Sequence, residues 1–383
     1  MFLSLSSKNL FFDNNYSHFS KQECVTVALL AFFILCLPFF SIIPYTRATI
    51  ALLSFLLLAR SLASPKQRIV LSAETILFLL YLATVLSGVF KKNAHVSSLL
   101  AFFIVLSGFL PTLAGLSRDG FCRILCLCGA ICGAHALAEY GSGGALALWT
   151  DTERFGNLAR VGSFFGNPNL LGAFMSVCVI LSFDKLYRTL KTGGWSLYGV
   201  SLFLSFAALI LSYSRGAWLG TLIGFGFYFF RLWEERSPDK YISYALFPFS
   251  SVLSRAQSLF SADSSVCYRF SLWKSILRVP IPQLLFGVGE GKTALLSLLS
   301  PHMSAGLEKI EHTHSLFFHV LCAEGIVGLL LFSAFLYMRL KKRCKGRAAI
   351  DGALLSLVIY GIFDDTLYSG QIGVLFWMLA NIN

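Results

Sequence analysis

Residues 311–347, EHTHSLFFHVLCAEGIVGLLLFSAFLYMRLKKRCKGR, set His312 and His314 at the mouth of an apolar run and close that run with a basic cluster. The run from Leu316 to Leu340 is long enough to cross the hydrocarbon of a bilayer as a helix. Arg339, Lys341, Lys342, Arg343, Lys345 and Arg347 gather at its end. Clusters of this kind mark the cytoplasmic end of a span, so the histidines fall at the external end. Imidazoles there titrate near neutral pH and can move protons.

The whole chain has the composition that this stretch suggests. Hydrophobic residues make up 56% and charged residues only 13%. The mean hydropathy is +0.72. A soluble domain needs more polar surface than this. Apolar runs near twenty residues recur, and short alternating segments of the β-barrel kind do not. The expected fold is therefore all-α and polytopic. About twelve spans are expected, near 24–43, 47–63, 70–90, 96–116, 119–139, 164–183, 195–212, 216–231, 241–253, 315–338, 348–364 and 367–381. With the N-terminus inside, Lys66 and Arg68, then Lys185, Arg188 and Lys191, then Arg231, Arg236 and Lys240 all fall on the side of the 339–347 cluster. Lys91 and Lys92 are the exception.

The chain reads as a single integral membrane domain, residues 1–383, with two external segments at 140–162 and 254–313. The second is the large external loop, and its apolar pieces Phe270–Leu277 and Thr293–Leu299 read as short interfacial helices. The run after the polar residues Met1–Glu23 lacks a small-residue cleavage site and reads as a retained span. A net charge of +12 is accounted for by loop topology and by an anionic substrate, so nucleic acid is not an expected partner. The cysteines Cys122, Cys126, Cys128 and Cys132 share one apolar segment and read as small packing residues, not as metal ligands.

Four patches carry candidate chemistry, and the topology puts all of them at the external face. In Arg160-Val-Gly-Ser-Phe-Phe-Gly-Asn-Pro-Asn169, the amides of Asn167 and Asn169 reach membrane depth beside Gly166 and Pro168. This is either irregular backbone lining a cavity or a plain helix start with proline in its first turn, and both readings stand. In Ser212-Tyr-Ser-Arg-Gly-Ala-Trp218, Arg215 sits among hydroxyls next to an interfacial Trp218, which suits a snorkelling anchor or a phosphate or sugar contact, and both readings stand. Arg269 and Trp273 share one helical face at i, i+4 and are followed by Phe286-Gly-Val-Gly-Glu-Gly291. No strand precedes those glycines, so they do not read as a dinucleotide site. In the fourth patch, Glu311, His312 and His314 lack a clear further ligand for zinc, and base or acceptor positioning is favoured over metal.

These patches resemble the O-antigen ligase and O-antigen polymerase superfamily of bacterial envelope glycosyltransferases. The ligase pattern, histidine, then Asn, Ser or Gln, then nine residues and Gly-x-x-Gly, is met by His314, Ser315, Gly325 and Gly328. The other three patches follow in the family's order, and the resemblance covers roughly residues 155–335 by motif. It implies transfer of a glycan from a polyprenyl-diphosphate carrier to a hydroxyl of the lipid A–core type. The setting would be the periplasmic face of the bacterial inner membrane, with no cofactor and no metal. His314 would be the catalytic histidine, and Arg215, Arg269 and Arg160 would bind the diphosphate. His312, Glu311, Ser315, Asn167, Asn169, Trp218 and Trp273 would lie near substrate or acceptor. Ser315 stands where Asn is commoner, which bears on acceptor contacts. A polymerase and a protein O-oligosaccharyltransferase share this donor chemistry. A lipid or solute transporter would instead bury charges at mid-span and repeat its halves. Asp364 and Asp365 read as an external rim or a cap for the last span.

Overall fold

The computed structural model describes residues 20–43, 45–63, 69–148, 160–190, 197–235, 264–303, 310, 312–365, 367 and 369–382. These residues form helices and no strand. In chain order they are α1 (Lys21–Cys36), α2 (Thr46–Ala63), α3 (Ala73–Ser87), α4 (His95–Leu106), α5 (Leu110–Ala114), α6 (Arg118–Gly141), α7 (Pro168–Leu190), α8 (Leu197–Leu211) and α9 (Arg215–Glu235). After them come α10 (Ser264–Ile276), α11 (Ile281–Leu284), α12 (Lys292–Leu299), α13 (Leu316–Ala323), α14 (Gly325–Lys341), α15 (Ala348–Phe363) and α16 (Gly370–Asn381).

The expectation of a helical membrane protein is met, but the count of about twelve spans is not supported. Six stretches among the described residues are long and apolar enough to cross a membrane: 21–42, 46–63, 73–90, 95–114, 118–141 and 168–190. Helices α8 and α15 are apolar but shorter. The span expected at 241–253 lies outside the described residues. The one expected at 315–338 is two helices, because Gly325 takes φ +82 and ends the first. The last is a twelve-residue helix, α16, sunk inside the bundle. Its Trp377 is fully buried and stacks on Tyr81, with ring centroids 5.3 Å apart. Hydrophobic length predicts burial in an apolar medium, and protein interior serves as well as lipid.

Small residues set the close packing. On α9, Gly220 and Gly224 face Gly352 and Ser356 of α15, the small-xxx-small spacing that lets two backbones touch. A Cβ on Gly224 would lie 2.6 Å from the Gly352 carbonyl oxygen, and one on Gly352 would lie 2.7 Å from that of Gly224. The two helices run antiparallel, so the start of α9, carrying Arg215, meets the end of α15, just before Asp364. The cysteines of α6 pack as expected: Cys122, Cys126, Cys128 and Cys132 are all buried and free.

At the opposite end of the bundle the basic residues have structural partners. Arg347 bonds Asp351 at 2.7 Å and the Leu379 carbonyl at 2.7 Å. Arg231 reaches Asp351 at 3.1 Å, and Lys342 reaches Glu74 at 3.1 Å. The described part of the 254–313 segment has its own small core of Leu272, Ile276, Leu295, Leu298 and Leu299, closed by Cys322 of α13.

Candidate active site

The break between α13 and α14 is built by two glycine-bearing segments that interlock. Breaking a helix orphans its last carbonyls. Here Val288 donates its amide to Cys322 O at 2.8 Å, and Gly289 to Ala323 O at 2.8 Å. Lys91 Nζ bonds Phe286 O and lies 3.4 Å from Ala323 O. A Cβ on Gly325 would lie 2.5 Å from the Gly287 nitrogen, which no side chain tolerates. The Phe-Gly-Val-Gly string and the Gly-x-x-Gly of the ligase pattern thus serve one joint, and that joint fixes α13, with His314 just before its start.

Three of the five described non-glycine residues with left-handed backbone lie in the predicted patches: Ser163 (φ 46), Tyr213 (φ 50) and His314 (φ 53). Such backbone is strained and needs support from its surroundings. Buried Glu139, at the end of α6, accepts from the amides of Gly162 (3.2 Å) and Ser163 (2.8 Å). Thr313 Oγ1 donates to Ser315 O at 2.8 Å, and Trp273 Nε1 donates to Thr313 O at 3.0 Å. The Tyr268 ring meets that of His314 edge-on at 6.0 Å.

The sequence-predicted residues divide into two groups. Arg160, Arg215, Arg269, His312 and His314 come together at the end where α9 meets α15. Arg160 Nε donates to Ser212 O at 2.9 Å and its Nη2 to Asn169 Oδ1 at 2.8 Å. Arg269 donates to Phe363 O at 2.7 Å, at the end of α15. His312 and His314 have ring centroids 4.0 Å apart.

The others support. Asn167 Oδ1 accepts the Asn169 amide at 2.8 Å and caps α7, so the plain helix-start reading holds for Asn167-Pro168, while Asn169 orients Arg160. Trp218 Nε1 donates to Leu209 O at 2.8 Å. Ser315 is buried at the start of α13. Glu311 lies outside the described residues.

Asp364 and Asp365, expected as a rim or a cap, are inside the site. Asp364 Oδ1 is 3.5 Å from His314 Nδ1 and 3.8 Å from His312 Nε2. Tyr360 donates its hydroxyl to Asp364 Oδ2 at 3.0 Å. Asp365 is 2.7 Å from His319 Nδ1, whose Nε2 is 2.8 Å from Glu290. Glu290 in turn pairs with Arg47 at 3.0 Å. Motif reading missed His319, Glu290, Arg47 and both aspartates. The available signal was their charge, since only 13% of the chain is charged and buried ionisable groups in such chains are paired or functional.

The electrostatics tie the cluster together. Burial lowers the Arg160 guanidinium to about 10. The charges of Arg215 and Arg269 push it the same way, while Tyr360 and Asp364 oppose. It stays protonated at neutral pH. Burial would raise the Asp364 carboxyl, but His312, His314 and Arg269 hold it well below the usual carboxylate range. Burial lowers His314 below the ordinary 6.5, helped by His312 and Arg269 and resisted by Asp364. His314 is therefore a neutral imidazole at pH 7, free to accept a proton, beside an ionised aspartate.

His312, His314 and Asp364 offer three ligand atoms within 4.8 Å of one another, and they form a candidate metal site that sequence reading lacked for want of a third ligand. Against this, Arg160, Arg215 and Arg269 bring three guanidinium charges to a cluster whose carboxylates are Asp364 and Asp365. That surplus of positive charge suits an anion better than a cation.

The model of the O-antigen ligase family matches residues 200–333. The match supports membership in the O-antigen ligase family. It runs from within α8 to the middle of α14 and includes Arg215, Arg269, His314, Gly325 and Gly328. Arg160 and Asp364 lie outside the O-antigen ligase match and reach the site through the fold. No curated protein matches the chain.

Proposed function

We propose that this protein transfers a glycan from a polyprenyl-diphosphate carrier to a hydroxyl acceptor, at the external face of the inner membrane and without a metal. The observation that carries the reading is the group of Arg160, Arg215 and Arg269 around the His314–Asp364 pair. Asp364, with Oδ1 3.5 Å from His314 Nδ1, electrostatically favours a proton on that nitrogen and leaves Nε2 to take the acceptor proton. The acceptor oxygen then bonds to the anomeric carbon, the bond from that carbon to the phosphate oxygen breaks, and the electron pair leaves on the diphosphate. Negative charge grows on the leaving group, and fixed guanidinium groups match its oxygens and stay charged throughout. An imidazole that is neutral near pH 7 is well placed as general base.

The test is transfer by purified protein from a polyprenyl-diphosphate glycan to candidate acceptors, with a chelator present. Labelled glycan moving to lipid A–core supports the ligase form. Extension of a second lipid-linked glycan indicates a polymerase, and label on serine or threonine indicates a protein transferase. Loss of activity with chelator and its return with zinc would overturn the metal-free reading and favour the His312–His314–Asp364 site. Solute uptake by proteoliposomes without glycan transfer would overturn enzymatic function.

A further inference from the structure

The outward face of the α10–α11 segment is apolar and cationic at once. Phe270, Lys274 and Leu277 follow one another at helical spacing and are all exposed, Leu277 by 70%. Leu272 and Ile276, on the other face, are buried in the segment's own core. Farther along the segment Ile281 (69%) and Phe286 (63%) are exposed too, and Lys91, which follows exposed Phe90 (84%), bonds Phe286 O. The exposed charges are Lys92, Lys274, Arg278 and Lys292. Residues 264–303 contain a single acid, Glu290, and it is buried.

The level of this face is set by α3 and α14. Glu74 at the start of α3 pairs with Arg339 and Lys342 at the end of α14. At their other ends, Lys91 meets Ala323 O at the α13–α14 break. The eighteen residues of the stretch 73–90, one of the six long and apolar enough to cross a membrane, rise about 27 Å, close to the hydrocarbon thickness of about 30 Å. With its Glu74 end at one membrane boundary, Phe90, Lys91 and Phe286 lie near the other.

We propose that this face is a docking surface for the anionic headgroup layer of the bilayer, with Phe270, Leu277, Ile281 and Phe286 reaching the acyl boundary and Lys92, Lys274 and Arg278 meeting lipid phosphates. Apolar residues flanked only by cations are the pattern of helices that lie in an anionic interface. A protein partner would leave these cations without complementary charge unless it were itself acidic. The proposal does not require that the site transfer glycans.

The test places nitroxide labels at Leu277→Cys, Ile281→Cys and Phe286→Cys, with Ser300→Cys as an exposed polar control. The background is full-length Cys267→Ser protein, and each variant is checked for monodispersity and reconstituted into phosphatidylglycerol vesicles. Collision with oxygen is expected to exceed collision with a water-soluble nickel chelate several-fold at the three apolar positions, and the reverse at Ser300→Cys. The contrast should shrink in pure phosphatidylcholine and in the triple variant K92E/K274E/R278E. Chelate access equal to that of the control overturns the proposal, because the face is then in water. Shielding from both reagents also overturns it, because protein then covers the face. Equal burial in both lipids that ignores the charge reversals overturns the requirement for an anionic surface.

Discussion

Asp364 Oδ1 lies 3.5 Å from His314 Nδ1, and the same aspartate follows Phe363, whose carbonyl holds Arg269 at 2.7 Å. One turn at the end of α15 therefore sets both the imidazole and a guanidinium. His314→Ala should lower transfer by about 10²–10⁴-fold, the usual weight of a general base. The protein should still elute as a folded species in detergent, since His314 is only partly buried. Wild-type turnover by this variant would remove His314 from the chemistry.

The pH dependence has a definite sign. The active form is neutral His314, and its folded value lies below 6.5. On the acid side, kcat/KM should fall with a half-point below pH 6.5. Asp364 raises that value, so Asp364→Asn should move the acid limb to still lower pH while reducing the plateau. The measurement is kcat/KM against pH for both proteins, and a limb that moves upward in the variant would contradict the pairing.

Arg215→Lys and Arg269→Lys keep the charge but lose the planar fork. Each should lower kcat by about 10²-fold, the scale for loss of one charge-stabilising donor. A lysine at 269 cannot donate to Phe363 O and also grip two phosphate oxygens. Steady-state kinetics with the lipid-linked donor checks this, and an effect on KM alone would assign these residues to ground-state binding.

The helical class and the polar patches were legible from hydrophobic length and residue type. The split at Gly325 was not, because Glu324 is one acid in an otherwise apolar run. The break is stabilised by amides of Val288 and Gly289 from a distant loop. Arg160, Arg215, Arg269 and His314 were readable because each sits among turn-forming or hydroxyl residues at the end of an apolar stretch. Asp364 was not, because its role depends on α15 packing against α9 through Gly352 and Gly224, a contact that local sequence does not encode. Trp218 and Trp273, expected near substrate or acceptor, donate their indole N–H groups to the Leu209 and Thr313 carbonyls, contacts that local sequence does not encode.

Gly325→Ala should destabilise the fold. The left-handed backbone alone costs about 1–3 kcal/mol for a residue with a side chain, and the new methyl would press on the Gly287 backbone. Thermal unfolding in detergent should show a lower midpoint, and an unchanged midpoint would mean that the joint can open.

His319→Ala should cost about 3–5 kcal/mol, the scale for breaking a buried ion pair and leaving its partners uncompensated. Here the stranded groups are Glu290 and Asp365. His319→Gln, which can still bond on both sides, should recover part of that loss in the same unfolding measurement.

The eight residues of α13 give the ligase pattern a metric meaning. They form a rod of about 12 Å between the joint at Gly325 and the turn at His314. Adding or deleting one residue within the rod would swing His314 by about 100° around the axis and carry it away from Asp364. The nine-residue gap in the motif is thus a ruler, and a chain that altered it would need to move its aspartate to match.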